Sequence, residues 1–547
     1  MPTLRPIPEV AADLGLSPAD LLPYGHDKAK VKLEVRDRPR HTARPARLVL
    51  VSAITPTPAG EGKTTTSIGL GQALKRLGQR VCLALREPSL GPVFGVKGGG
   101  TGGGRSLLEP MADINLHFTG DLHAISSAHN LLSAMTDNHL HFRHEPELHP
   151  DRIKWPRVMD MNDRSLRKII IGLQGSKNGV TREDGFDITA ASELMAILSL
   201  AEDRDDLRAR MDRVLVGFDR TGQPVTAKDI GATGSMAVLL RDALLPNLVQ
   251  STEGCPALVH GGPFANIAHG CNSVIATKTA MHLADWVVTE AGFGFDLGAE
   301  KFFDIKCRQA GLSPDAVVVV ATVRALKMHG GVPVKELGAA NPGAVAEGMV
   351  NLARHLQTAE TFGYKAVVAI NRFATDTDEE LAVIQDWCRA NGHKVGLCTH
   401  FADGGAGAED LARLVMEAAE HGPEQFTPMY DDDDAPVVKI TKIARKVYGA
   451  DDVVLTKLAK TGLARAKRLG LTHLPICMAK TQNSLSDDPS KRGRPTGFDI
   501  TVRDVQLNTG AGFLVALTGE MMRMPGLPRR PAAVGIDLVD GVITGLK

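Results

Sequence analysis

Aromatic side chains are scarce in this chain: 16 phenylalanines, four tyrosines and three tryptophans make up 4% of 547 residues. With 56 glycines beside them, this balance fits an α/β protein rich in tight βα turns better than an all-β one. Net charge is absent too. The 63 basic and 63 acidic side chains cancel, which removes any overall electrostatic case for a nucleic-acid or membrane-surface partner. Cysteine is sparse and unpatterned. Cys82, Cys255, Cys271, Cys307, Cys388, Cys398 and Cys477 are odd in number and contain no Cys-x-x-Cys pair, which speaks against a disulfide framework or zinc ribbon and for reduced, buried thiols. No window reaches the roughly 18 apolar residues of a membrane span. Met1–Asp13 has no long apolar run, so the expected location is the cytoplasm.

What is present is the composition of a folded globular protein, 43% hydrophobic and 23% charged, long enough for roughly three or four domain-sized units. Residues 1–46 are polar, basic and proline-containing and read as a short helical arm. At Arg47 the pattern turns to the buried strand Leu48–Ile54, a glycine loop, and a helix through Leu77 with Ile68, Leu70, Ala73 and Leu74 on its apolar face. A strand Arg80–Leu85 follows. The rhythm returns at Val214–Phe218, Pro256–His260, Trp286–Thr289, Ala316–Ala321, Lys365–Ile370 and Lys394–Cys398, which predicts a largely parallel sheet covered by helices on both faces. The expected division is 47–330 as the nucleotide-binding core, 331–430 as a second α/β unit and 431–547 as a third. Asp431–Asp434 reads as a solvated acidic loop.

Thr57, Pro58, Ala59, Gly60, Glu61, Gly62, Lys63 and Thr64 lie between a predicted strand and a predicted helix. Amides of such a loop, with the helix N-terminus behind them, face phosphates. Lys63 would reach the terminal phosphates of ATP, and the Thr64 hydroxyl would ligate Mg²⁺. The fold class expected is therefore α/β with a P-loop NTPase-like core and smaller α/β domains. Arg86 ends the next strand. It reads equally as a strand-end salt bridge and as a fork for a small carboxylate or phosphate. Gly95–Arg105 reads as a linker, or as backbone that approaches a ligand closely. Seven histidines between His117 and His149 lack a metal-ligand framework.

Gly95–Arg105, Val320–Gly331, Phe186–Ile197, Val259–Gly270, Met521–Pro528 and the ATP loop together resemble the formate–tetrahydrofolate ligase family, in its monofunctional bacterial form, from about Tyr24 onward. Two positions depart from the family pattern. Gly100-Thr101 and Arg105 stand where two alanines and a tyrosine are usual, and Phe401 stands where tryptophan is usual. The resemblance implies ATP-dependent joining of formate to tetrahydrofolate, giving 10-formyltetrahydrofolate, ADP and phosphate through formyl phosphate. It implies Lys63 and Arg86 on formate and formyl phosphate, and Phe293, Phe373 and Phe401 around the folate. Asp121 then reads equally as a proton acceptor for the folate amine and as a helix N-cap. The family further implies a homotetramer, activation by K⁺ or NH₄⁺, and a polyglutamate-bearing folate. Two readings compete: a P-loop switch ATPase of the partitioning or metal-insertion kind, and a non-catalytic binding protein on the same scaffold.

Overall fold

The structure, a computed structural model, describes residues 4–96, 99–519 and 521–546. The valine-rich segments pair into one sheet of 12 strands. In chain order these are β1 (Leu21–Pro23), β2 (Ala29–Val31), β3 (Arg47–Ala53), β4 (Val81–Leu85), β5 (Gly102–Gly103) and β6 (Ser106–Glu109). They continue as β7 (Asn247–Ser251), β8 (Pro256–Val259), β9 (Trp286–Glu290), β10 (Ala316–Ala321), β11 (Val367–Asn371) and β12 (Val395–Cys398). Across the sheet the order is β1-β2-β7-β8-β4-β9-β3-β10-β11-β12, with β6 beside β7 and β5 beside β6. Every neighbouring pair from β8 to β12 is parallel. At the other edge β7, β2 and β1 run antiparallel.

The two-residue period of a strand explains why both faces are covered. Leu48, Leu50 and Ile54 enter one hydrophobic cluster, while Val49, Val51 and Ala53 enter the other. In β10, Val317 and Val319 likewise face away from Val318 and Val320. The helix Lys63–Arg76 packs its Ile68, Leu70, Ala73 and Leu74 into the second cluster. Among the described residues no helix is long and apolar enough to cross a membrane. All seven cysteines are buried and unpaired.

Two expectations are corrected. Residues 1–46 hold a helix, Ile7–Asp13, but then weave into the sheet as β1 and β2, where Ala29 and Lys30 pair with Leu248 and Asn247. Periodicity hid this because Lys30 is polar yet fully buried, its ammonium 2.7 Å from Asp121. The run at Val214–Phe218 forms a strand but does not join the large sheet. Leu215–Phe218 folds back on Pro224–Thr226 as an antiparallel hairpin, since Asp219 accepts the amides of Thr221 and Gln223 and Gly222 takes φ 90°. Residues 331–430 contribute β11 and β12 to the same large sheet. A separate mixed sheet of four strands, Val453–Leu455, Ile500–Asn508, Phe513–Thr518 and Ile476–Ala479, lies beyond residue 450.

Candidate active site

In a parallel sheet the crevice beyond the carboxyl ends of the strands is the natural ligand site, above all where the strand order reverses. Here β4 and β9 lie to one side of β3, and β10 to β12 to the other. The carboxyl end of β3 runs into Thr57–Thr64, that of β4 into Arg86, that of β9 into Glu290 and Phe293, that of β11 into Phe373, and that of β12 into Phe401. Five strands of the parallel run thus deliver to one end of the sheet the residues that sequence spacing scattered over more than half the chain. Asp121 is the exception.

The loop Thr57–Thr64 is braced from within. Glu61, 1% exposed, accepts the Thr57 amide at 2.6 Å with one carboxylate oxygen and the Thr322 hydroxyl with the other. Asn371 at the end of β11 donates to the Glu61 carbonyl at 3.1 Å. Gly62 caps the helix with φ 73°, and a Cβ there would lie 2.4 Å from the Asn371 side chain. Only glycine meets both demands. The amides of the first helical turn lack intrahelical acceptors and carry the positive end of the helix dipole. Upstream, the Thr55 amide donates to His355 at 2.9 Å and its carbonyl meets His329 at 2.8 Å.

Glu290 is the hub that sequence reading missed. One of its oxygens accepts the Thr64 hydroxyl at 2.8 Å, while the other lies 3.4 Å from the Arg86 guanidinium. Glu290 is buried at 3% exposure, and Arg86 keeps a quarter of its side chain open. Gly292 lets Arg86 sit there, since a Cβ would lie 2.8 Å from its guanidinium. Lys63 joins the same field. Burial, opposed by Glu290 and reinforced by Arg86, brings its ammonium down to about 8. An acid at the end of a valine-rich strand was the available signal, but the partnership of residues 226 apart is set by sheet order. Hydroxyl and carboxylate oxygens side by side form a hard donor set that suits Mg²⁺.

The three phenylalanines differ in setting. Phe293 is a non-glycine residue held at φ 58°, a conformation that costs of order 1–2 kcal/mol and marks a loop under constraint. Phe373 lies under Arg324, whose guanidinium carbon is 3.7 Å from the ring centroid. Phe401 is 56% exposed and rests on the glycine-rich stretch: a Cβ on Gly103 would lie 3.1 Å from its ring, and one on Gly104 would lie 2.1 Å from its carbonyl oxygen. Arg105 donates its amide to that carbonyl at 2.9 Å. Glycine is needed at Gly104, at φ 61°, because the Phe401 backbone occupies the space, while at Gly103 the contact with the ring is tight. Lys97 and Gly98 of the same motif lie outside the described residues.

Asp121 opens the helix Asp121–Phe142, whose N-cap is Gly120. It is 2% exposed, with Lys30 at 2.7 Å on one oxygen and Asn247 at 2.7 Å on the other. It is neither the N-cap nor an open proton acceptor. Among the described residues no group of three or more histidines, cysteines or acids is placed to hold a metal ion.

A family model described as formate–tetrahydrofolate ligase matches residues 1–547. The chain belongs to the formate–tetrahydrofolate ligase family. It is 58% identical over 544 residues to the formate–tetrahydrofolate ligase of Hyphomonas neptunium, covering 99% of this chain and 98% of that protein. The ligase of Paracoccus denitrificans is 57% identical over 549 residues, with 99% and 97% covered. That of Bacillus pumilus is 54% identical over 544 residues, with the same coverage. The family joins formate to tetrahydrofolate at the expense of ATP. A match of this reach leaves the switch-ATPase reading without support.

Proposed function

We propose that this chain phosphorylates formate with ATP and passes the formyl group to tetrahydrofolate, releasing ADP and phosphate. The observation that carries the reading is the meeting of Lys63 and Arg86 around Glu290 at the strand ends of the ATP loop. Formate is a poor acyl donor because its carboxylate has no leaving group. Attack of a formate oxygen on the γ-phosphorus forms a P–O bond and breaks the bond to ADP. The folate amine then attacks the formyl carbon, the C–O bond to phosphate breaks, and the amine loses its proton. Both steps gather negative charge, which fixed cations in a water-poor site stabilise far better than water does.

In this reading the core is P-loop NTPase-like. The amides of Thr57–Thr64 hold the ATP phosphates, Lys63 holds the transferring phosphoryl group, and Arg86 holds formate and then formyl phosphate. Thr64 and Glu290 would hold Mg²⁺, which when bound neutralises phosphate charge. Glu290 also keeps Arg86 aimed while the crevice is open. Phe293, Phe373 and Phe401 line the folate ring, with Arg324 covering one face of Phe373. Asp121 stays outside proton transfer, because both of its oxygens are taken and solvent does not reach it. A homotetramer, a K⁺ or NH₄⁺ activator, a polyglutamate-bearing folate and a cytoplasmic setting complete the proposal.

The test is an assay of 10-formyltetrahydrofolate in which ATP, formate and tetrahydrofolate are omitted in turn. Product requires all three. ATP hydrolysis indifferent to formate and folate would sink the proposal.

A further inference from the structure

Away from the strand ends, the hairpin Leu215–Phe218/Pro224–Thr226, the segment around Arg152 and Lys154, and the helix Lys457–Arg468 enclose an open cavity of about 450 Å³. Arg152, Lys154, Arg465 and Arg468 line it, and no carboxylate does. Its floor is the buried ring of Phe218, with the guanidinium carbons of Arg465 and Arg468 at 5.5 and 5.8 Å from the centroid. Gly222, held at φ 90° in the hairpin turn, lies beside the Arg152 guanidinium.

Among the described residues none of these four cations has an acidic partner within 4 Å, and the side-chain hydrogen bond given to them is a long one, Arg468 to the Gly222 carbonyl at 3.4 Å. In a chain whose 63 bases and 63 acids cancel, four cations lining one cavity without an acidic partner within 4 Å, two of them over one ring, are an unbalanced charge. Partial burial and Arg465 together lower the affinity of Lys154 for its proton, with Asp504 opposing. Lys154 and Arg465 also border an inner chamber of about 160 Å³ with a mixed polar lining that includes Gln506, Asn508 and Asp504.

We propose that this cationic bowl is a second anion-binding site, for a small molecule carrying two or more phosphate groups, distinct from the Thr57–Thr64 loop. Three of its four cations are guanidiniums, whose forked donors match phosphate oxygens in pairs. Stacking on Phe218 holds two of those forks in place before a ligand arrives, so less ordering entropy is lost on binding. The inner chamber offers polar groups to the rest of the molecule. The bowl is built from elements that supply none of the residues of the candidate active site.

The experiment is calorimetric titration of the full chain with inorganic pyrophosphate. The unsubstituted protein binds at two sites per chain. Lys63→Ala weakens the site at the ATP loop and leaves the other. The double variant Arg465→Ala/Arg468→Ala weakens the other at least about 10-fold, the loss expected for charge-assisted contacts, and leaves the loop site, which also shows that the variant is folded. Arg465→Lys/Arg468→Lys, which keeps charge but not the fork, binds between the two. A single site per chain, abolished by Lys63→Ala and indifferent to the arginine pair, overturns the proposal. Tri-γ-glutamate binding that depends on the arginine pair while pyrophosphate binding does not would reassign the bowl to polycarboxylates, and so overturns it as well.

Discussion

At the scale of single residues, charge decides the chemistry. In the proposed reaction, Arg86→Ala removes the guanidinium assigned to the acyl phosphate. By analogy with loss of one oxyanion-hole donor, turnover falls on the order of 10²–10³-fold. Steady-state kinetics with all three substrates checks this, and turnover within a factor of a few of the parent would remove Arg86 from the mechanism. Lys63 gives a pH test. Its ammonium titrates near 8, below the usual lysine range, and ATP phosphates favour the charged form. ATP affinity is therefore level below about pH 8 and weakens above it, approaching tenfold per unit. Equilibrium binding of ATP from pH 6.5 to 9.5 measures it, and an affinity level across that range contradicts the assignment. Sequence put Lys63 and Arg86 forward because each sits in an unbroken stretch whose chemistry is local, and it left Arg86 open between the strand-end salt bridge that the structure shows with Glu290 and a ligand fork. Glu290 was not put forward. Its meaning comes from Thr64 in the first turn of the helix Lys63–Arg76, and no local spacing encodes that neighbour.

At the scale of elements, the glycine-rich stretch and the ring it supports act as one unit. Sequence left Gly95–Arg105 open between linker and ligand contact. The structure ties Gly103 and Gly104 to Phe401, a pairing invisible to periodicity because it joins a loop to the end of a distant strand. Phe401→Ala removes a stacking surface worth roughly 0.5–1.5 kcal/mol, so the KM for tetrahydrofolate rises about 2- to 12-fold while the KM for ATP holds. Gly104→Ala sets a Cβ against the Phe401 backbone at 2.1 Å and shifts the same KM in the same direction. Kinetics with each substrate varied in turn separate the two, and a change in the KM for ATP alone in either variant would break the link. The parallel strands were legible from their valine-rich runs. The hairpin at Leu215–Phe218 was not, because a four-residue apolar run looks alike in either setting until the turn after it is read.

At the scale of the whole molecule, a buried charge pair ties the first strands to the sheet. Lys30 and Asp121 are 0% and 2% exposed, and Asn247 of β7 hydrogen-bonds to both. Lys30→Met leaves Asp121 buried without its counter-charge, a loss of about 3–5 kcal/mol. The first unfolding transition then comes at markedly lower urea, and an unchanged midpoint would show the pair to be idle. This contact is one reason residues 1–46 read as an arm: a buried lysine in β2 breaks the apolar pattern, and its partner lies 91 positions away.

The central claim is that cations beyond the ends of β3 and β4, the two strands that flank β9, stabilise a formyl phosphate made from ATP. Formate labelled with ¹⁸O tests it most directly, by mass spectrometry of the phosphate released during synthesis of 10-formyltetrahydrofolate. One labelled oxygen in each phosphate formed is the predicted result, since the bridging oxygen leaves with phosphorus when the amine attacks carbon. Unlabelled phosphate, alongside normal product, would mean that ATP is cleaved by water and that no acyl phosphate lies on the path.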